Sequence, residues 1–179
     1  MAFDCATSIG AVAAVTGGRV AWGARASELM GLIDEVVDDP RRIEAIVVGT
    51  GPGSFTSIRI GLATARGLAL ALDVPVAGSS TLSGFPSGFE AVIDARRGEV
   101  FSEGGVGPPE ELDVAGKVLL GDGALRYREV FEAAGAVVAS EPDLHRPSPH
   151  LLARRAGPFG PVEDVDPLYL RQPDAKPSA

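Results

Sequence analysis

The sequence predicts an α/β protein built around a parallel sheet, and three observations lead to this prediction. Ile46-Val47-Val48 is apolar on both faces, as is typical of a strand buried in a parallel sheet. A glycine-rich loop and an apolar helix from about Thr56 to Leu72 follow it, and Val74–Ala77 provides the next strand. The order strand, helix, strand indicates parallel strands joined by crossover helices.

The segments before this unit predict an antiparallel opening. Phe3–Ala6 and Ala11–Val15 are short apolar runs typical of strands, and a turn at 16–19 leads into a third strand, Val20–Gly23. The next segment predicts a helix capped by Ser27, because its apolar residues recur at the spacing of one helix face. These residues are Leu29, Leu32, Ile33, Val36 and Val37.

A cluster of glycine, serine and proline at 83–88 predicts a domain junction. We place the first domain at residues 1–84 and a smaller second domain at 85–179, with a loose polar tail from about Gln172. Beyond the junction we expect a hairpin formed by residues 91–94 and 99–101, followed by a loop at 104–109. We expect two further strands at 118–120 and 137–138, and two helices at 125–134 and 151–155.

Composition limits the classes of function. With 45% apolar and 22% charged residues the chain can bury a core, and its net charge of −8 disfavours unaided binding to nucleic acid or to an anionic membrane. The single cysteine, Cys5, excludes an intramolecular disulfide and fits a reducing compartment. Arg59 and Arg66 interrupt the most apolar stretch, so we expect no membrane span and a cytoplasmic location.

The glycine-rich loop has two interpretations. In the first, the loop and the helix N-terminus after it face a phosphate; the residues of this site would be Asp4, Gly51, Gly53, Ser54 and Thr56. In the second, it is a tight turn with Ser54 or Thr56 as the helix cap. Asp4, which ends an apolar strand and opens a turn, would then help to hold that turn. The known fingerprints do not fit, because the first lysine is Lys117 and Ser54 occupies the place of a third glycine. We predict no catalytic residues and no metal site, and expect His145 and His150 at the surface.

The helix after this loop carries two rows of small residues at i, i+4 and i+8, which allow close backbone packing on two sides. The rows are Gly61, Ala65 and Ala69, and Ala63, Gly67 and Ala71. One side can pack on the home sheet, and the other must be covered either by a second domain of this chain or by another protein. Of these two, we predict a partner protein. The predicted interface residues are Met30, Ile33, Arg59, Ala63, Arg66 and Leu70.

The segment Gly51–Gly61 closely resembles the GPGSFTGIRIG signature of the TsaB (YeaZ) family, with Ser57 in place of a glycine. Gly61–Leu68, Ile93–Val100 and Tyr169–Arg171 add to the resemblance, and Asp4–Thr7 is similar to the opening motif of the family. The resemblance implies an actin-like ATPase fold, with two domains of ribonuclease-H-like topology of which the second is reduced.

The resemblance also implies a function. TsaB-like proteins are non-catalytic partners of TsaD, the subunit that transfers threonylcarbamoyl to an adenosine beside the tRNA anticodon, and TsaE, an ATPase, joins that pair. Contact with TsaD would use helices corresponding to 27–37 and 56–72, and homodimers would use the same surface. Contact with tRNA is expected only through the complex. No cofactor is expected, although the fold allows weak binding of ATP or ADP.

The alternative function is that of a small ATP-binding phosphotransferase or ATPase of the actin-like superfamily. It would use Asp4, the loop 51–56 and Gly121-Asp122-Gly123. A weaker alternative, a glycoprotease, lacks a metal-ligand set and a plausible nucleophile in this sequence.

Overall fold

The computed structural model describes residues 1–15 and 18–171, and its first part is a five-stranded sheet. The strands are β1 (Ala2–Asp4), β2 (Ala11–Ala14), β3 (Val20–Gly23), β4 (Ile46–Gly49) and β5 (Val76–Ser79). Their order is β3-β2-β1-β4-β5: β2 is antiparallel to β1 and β3, whereas β1, β4 and β5 are parallel. The predicted antiparallel opening and parallel continuation are confirmed.

Two helices, α1 (Leu29–Val36) and α2 (Phe55–Leu72), pack on one face of this sheet. Ser54 is the N-cap of α2, and its Oγ accepts the backbone N–H of Ser57 at 3.4 Å. The predicted cap Ser27 is wrong: it lies inside a 3₁₀ turn, Ala26–Glu28, that precedes α1.

The second part of the molecule, as far as residue 171, contains six further strands. They are β6 (Glu90–Ala91), β7 (Ile93–Arg96), β8 (Glu99–Ser102), β9 (Gly105–Gly107), β10 (Val118–Leu120) and β11 (Val137–Val138). β11, β10 and β6 form one parallel three-stranded sheet, and β7, β8 and β9 form an antiparallel one. The predicted β7–β8 hairpin is confirmed. The predicted loop at 104–109 is wrong in part, because β9 pairs with β8 there.

The helix predicted over 125–134 is two helices, α3 (Asp122–Arg126) and α4 (Arg128–Ala133). They meet at Tyr127, whose φ of −109° and ψ of 28° are not helical. His145 is fully buried, which corrects the expectation of a surface histidine. Its Nδ1 accepts the N–H of Gly121 at 3.1 Å, and its Nε2 lies 2.9 Å from the carbonyl oxygen of Ala139.

The last helix, α5 (Pro149–Arg154), returns to the first sheet. Leu152 packs with Ala2, Val47 and Ala77 on the face opposite α1 and α2. The division of the chain at residues 84 and 85 stays a prediction. Two other expectations, the turn at Thr16-Gly17 and the tail from Gln172, fall outside the described residues.

Candidate functional site

The two small-residue rows of α2 have opposite environments. Gly61, Ala65 and Ala69 are buried against the sheet, and a Cβ added at Gly61 would lie 3.3 Å from Sγ of Cys5. Ala63, Gly67 and Ala71 are exposed, as are Arg66 and Leu70, whose exposed fraction is 87%. We call the exposed residues of α1, together with those of α2 from Ala63 onward, the outer helical face. Its members are Met30, Gly31, Asp34, Glu35, Ala63, Arg66, Gly67, Leu70 and Ala71.

Two glycines of this face lie inside helices without a local steric reason. A Cβ added at Gly31 or at Gly67 would meet no atom within 4 Å, in contrast to Gly61. Glycine inside a helix destabilises it by about 1 kcal/mol relative to alanine, because its backbone loses more conformational entropy on folding. The described part of this chain therefore does not account for either glycine by packing.

The interface residues predicted on α1 differ in position. Met30 is 54% exposed and belongs to the outer helical face. The prediction for Ile33 is wrong: it is 5% exposed and packs in the core between α1 and the sheet. The helical spacing that aligns it with Leu29 and Val36 turns its side chain toward the sheet rather than toward a partner.

The two arginines predicted at the interface also differ. Arg66 is exposed, and no ion pair or hydrogen bond joins it to a described residue. Arg59 is held within the chain: its guanidinium carbon lies 3.8 Å from the ring centroid of Phe55, and its Nε donates to the hydroxyl of Tyr169 at 3.3 Å. Arg59 therefore lines a cleft beside the N-terminus of α2.

The structure places Asp4 in the interior, where it holds the turn after β1 and does not line the cleft. Asp4 is 1% exposed; its Oδ1 accepts the N–H of Ala6 and its Oδ2 accepts the hydroxyl of Thr81, both at 2.7 Å. Burial raises the pKa of this carboxyl above its ordinary value. Gly49 lies directly beside Asp4, because an added Cβ there would overlap the carboxylate. Asp4 thus joins β1 to the segment after β5.

The loop 51–56 divides into an inner and an outer part. Gly51 is buried and is not available to a phosphate, since its N–H donates to the Thr81 hydroxyl at 3.2 Å and its carbonyl accepts the Thr81 N–H at 2.7 Å. Gly53, Ser54 and Thr56 line the cleft. The N–H of Ser54 donates to the Ala6 carbonyl at 2.8 Å, which fixes the loop against the segment that follows β1.

A second buried carboxylate, Asp122, connects the two parts of the molecule. Its Oδ2 accepts both the N–H and the hydroxyl of Ser8, at 2.7 and 2.6 Å, and its Oδ1 accepts the N–H of Asp94 at 3.0 Å. Both of its oxygens therefore have donors from this chain. Ser8 and Thr81 are the residues that the sequence reasoning missed. A serine in the turn after β1 was the one available signal for Ser8.

The Cys5 thiol is held within the chain and is not available as a nucleophile. The Sγ of Cys5 donates to the carbonyl of Ser57 at 3.0 Å, and burial raises the pKa of this thiol to about 12, so the reactive thiolate is suppressed.

Among residues 1–15 and 18–171, no three His, Cys, Asp or Glu side chains are grouped to hold a metal ion. α2 is long and apolar enough for a membrane span, but one side packs on the sheet.

Comparison with known proteins shows which family this chain resembles. Residues 19–116 match the family described as TsaD, tRNA N6-adenosine threonylcarbamoyltransferase. An uncharacterized protein of Mycobacterium tuberculosis is 39% identical over 76% of this chain and 68% of its own length. The tRNA threonylcarbamoyladenosine biosynthesis protein TsaB of Escherichia coli is 30% identical over 72% of this chain and 71% of its own length.

Solved structures agree with the sequence comparison. YeaZ from Pseudomonas aeruginosa superposes with a TM-score of 0.71 at 25% identity, covering 94% of this chain and 100% of its own. The chain therefore has the actin-like, ribonuclease-H-like α/β fold that TsaD-type proteins share, and this fold defines its class of protein. Within that class, the chain belongs to the TsaB (YeaZ) family.

Proposed function

We propose that this chain is a non-catalytic subunit that binds a TsaD-type threonylcarbamoyltransferase through the outer helical face. In this role it supports, together with a TsaE-type ATPase, the formation of threonylcarbamoyladenosine in tRNA. A role in that biosynthesis follows from the family, in which the E. coli, Bacillus subtilis and Haemophilus influenzae relatives are named for it. The finer assignment depends on the outer helical face.

The observation that carries the proposal is the pair of unexplained glycines. Gly31 and Gly67 lower helix stability, and nothing within 4 Å of either position in this chain requires the absence of a side chain. A second protein whose backbone approaches the two helices closely would require it. Ala63 and Ala71 extend the surface of small side chains beside Gly67. Leu70 and Met30 supply apolar area at the edges of this surface.

The sequence relationship to the TsaD family and the charges on the outer helical face both support a TsaD-type partner. The matched segment 19–116 contains both α1 and α2, so a TsaD-type protein is expected to present related helices. Identical chains that pair by twofold symmetry use the same surface on both partners. By analogy, we expect a related chain to use the equivalent surface. The outer helical face carries acidic Asp34 and Glu35 on α1 and basic Arg66 on α2. Such a face is complementary in charge to a similar face that is turned around.

The test uses one substitution and a matched control. Ala63→Arg places a long charged side chain on the exposed row, whereas Ala133→Arg makes the same change at an exposed position of α4. We expect a tagged native chain and Ala133→Arg to retain the TsaD-type subunit of the same organism on affinity purification. We expect Ala63→Arg to lose it while keeping its circular dichroism spectrum. Retention by a folded Ala63→Arg variant would contradict the proposal.

A second copy of this chain is the other protein that would fit the face. Light scattering of the isolated native chain measures this pairing, and Ala63→Arg should convert any dimer to a monomer. A dimer that survives the substitution would use another surface.

The alternative function, an ATPase or phosphotransferase, has weaker support. Its two candidate carboxylates, Asp4 and Asp122, both have their oxygens occupied by donors of this chain. A catalytic carboxylate would have to release those contacts before it could hold a metal or take a proton. Phosphate release from Mg-ATP by the isolated chain would favour the alternative, and its absence is what we expect.

A further inference from the structure

The antiparallel sheet of the second part has an edge strand whose outer side is open. β9 pairs with β8, and its backbone makes no hydrogen bond to any other residue that the structure describes. The edge strand β5 is different, because Val76 and Gly160 exchange two hydrogen bonds, at 2.9 and 3.0 Å, along its outer side. An open edge presents N–H and C=O groups with which another strand can pair. The outer side of β9 is therefore available to a second chain.

The three residues of β9 do not protect this edge. Proteins commonly protect an edge strand with charged side chains or with proline, whereas β9 consists of two glycines and Val106, which is 38% exposed. Gly105 has a φ of 118°, which favours glycine. Gly107 has no such reason, because its φ is outside the left-handed region and an added Cβ would meet no atom within 4 Å. Glycine in a strand often marks a place where a ligand or another backbone approaches closely.

A groove with a volume of about 280 Å³ lies beside β9, and residues of β8, of β9 and of the segment that follows β9 line it. Val100 and Leu112 give the groove apolar surface, and the exposed Glu111 adds a carboxylate to its lining. Because Gly105 and Gly107 have no side chains, the backbone of β9 itself forms part of the lining. Side chains on adjacent strands are about 5 Å apart. A segment that pairs with β9 therefore brings its side chains close to this groove.

The charge around β9 is of one sign. Between Arg97 and Lys117 the sequence has five carboxylates and no basic residue. Glu99 is paired with Arg171. The other four are exposed, and no ion pair joins them to a described residue; they are Glu103, Glu110, Glu111 and Asp113. A surface of this charge attracts a basic partner, and it repels nucleic acid and anionic membranes.

We propose that β9 binds an extended segment of another protein that carries lysine or arginine side chains, as a fourth strand of the β7–β8–β9 sheet. In strand addition, main-chain hydrogen bonds supply affinity and the alternate side chains supply specificity. Here the basic side chains meet the unpaired carboxylates around β9, and the apolar ones meet the groove. This inference goes beyond the partner function, because it concerns a different surface and a partner defined by its own chemistry.

The test is a fluorescence-anisotropy titration of the full chain, at low salt, with a fluorescein-labelled peptide of sequence Lys-Val-Lys-Val-Lys-Val. We expect a dissociation constant below about 0.5 mM. The same peptide with methylated backbone nitrogens keeps its charge but has no backbone N–H donors, so we expect it to bind at least about tenfold more weakly. The corresponding Glu-Val peptide should not bind, because its charge has the same sign as the carboxylates around β9.

Three variants locate the binding site. The double substitution Glu110→Gln with Glu111→Gln should weaken binding of the Lys-Val peptide about tenfold, because it removes two charges beside β9. Gly107→Val fills open space beside the groove and should also weaken binding. The matched control, Glu129→Gln with Glu141→Gln, makes the same change in charge at exposed positions outside the groove lining and should leave the affinity unchanged. Thermal unfolding checks that each variant is folded.

Four results would overturn the proposal: no binding of the Lys-Val peptide at several times the expected dissociation constant, equal binding of the methylated peptide, full affinity in the Glu110→Gln and Glu111→Gln variant, or an equal loss in the control variant. A native dimer that the peptide converts to a monomer in light scattering would also overturn it, because a second copy of this chain would then occupy β9. None of these variants alters the outer helical face, so failure here leaves the partner proposal standing.

Discussion

Ser8 donates both its backbone N–H and its hydroxyl to Oδ2 of Asp122, from the turn between β1 and β2 to the first residue of α3. These residues are 114 positions apart in the chain, and the contact joins the five-stranded sheet to the second part of the molecule. The Asp94 N–H, which donates to Oδ1, brings the β7–β8 hairpin into the same contact. Asp122 is therefore a structural connection in this chain.

Asp122→Ala should lower the free energy of unfolding by about 2–3 kcal/mol. The substitution leaves the buried N–H of Asp94 without its acceptor, and a buried unsatisfied donor is destabilising by about 1–3 kcal/mol. It also removes the two part-buried hydrogen bonds from Ser8, which add about 1 kcal/mol. Urea unfolding followed by circular dichroism measures the change. Ser8→Ala is the matched control: it removes only the hydroxyl and should lower stability by about 1 kcal/mol. An Asp122→Ala variant as stable as the native chain would show that this contact does not hold the two parts together.

Gly67→Ala should stabilise the isolated chain by about 0.5–1 kcal/mol, because alanine is the better helix former and its Cβ meets no atom within 4 Å. The same change should weaken binding to a TsaD-type subunit, measured by titration calorimetry. Gly61→Ala is the comparison: its Cβ would press on Sγ of Cys5 at 3.3 Å, so no such gain in stability is expected. If Gly67→Ala bound the partner as tightly as the native chain does, close approach of the partner would not explain why residue 67 is a glycine.

Asp4 should make the native chain less stable as the pH rises above 3.8, the ordinary pKa of its carboxyl. Burial raises its pKa in the folded state, so between the two pKa values the folded chain binds more protons than the unfolded chain, and stability falls with rising pH. Asp4→Asn removes this contribution. Urea unfolding of both proteins over mildly acidic to neutral pH measures the difference. Identical pH dependence in the two proteins would contradict the raised pKa.

The Cys5 thiol should resist modification in the folded chain. It is 2% exposed and its pKa is raised to about 12, so access and thiolate population are both low at pH 8. Reaction with a chromogenic disulfide reagent should be slow in buffer and rapid in denaturant. Rapid labelling of the native chain at pH 8 would show that the segment over Cys5 opens readily.

The order of elements in the first part was predictable because it depends on local signals. Three apolar residues at 46–48, a glycine loop and a long apolar helix specify a buried strand and its crossover, and Ser54 is a strong N-cap. The spacing of small residues on α2 also separated a buried row from an exposed one. The direction in which each row faces followed once the home sheet was assigned.

Long-range contacts were not predictable from the same signals. Nothing local to Asp4 indicates that Thr81 bonds it, or that Ser8 meets Asp122, since neither pair is near in sequence. Ile33 was misassigned because its spacing fits both the core side and the flank of α1, and the choice depends on the angle at which α1 lies on β2 and β3. Of the cleft beside the N-terminus of α2, only the wall with Gly53, Ser54 and Thr56 was predicted, because the other walls come from the distant segments 94–97 and 168–171.

The most direct test of the central claim, that another protein covers the outer helical face, is hydroxyl-radical footprinting of the chain with and without the TsaD-type subunit. Met30 and Leu70 are the reporters, at 54% and 87% exposure; Phe89 and Leu125, at 42% and 41%, lie in the second part and are internal controls. The account predicts strong protection of Met30 and Leu70 in the complex and unchanged oxidation of both controls. Formation of the complex with Met30 and Leu70 oxidised at their free rates would contradict it.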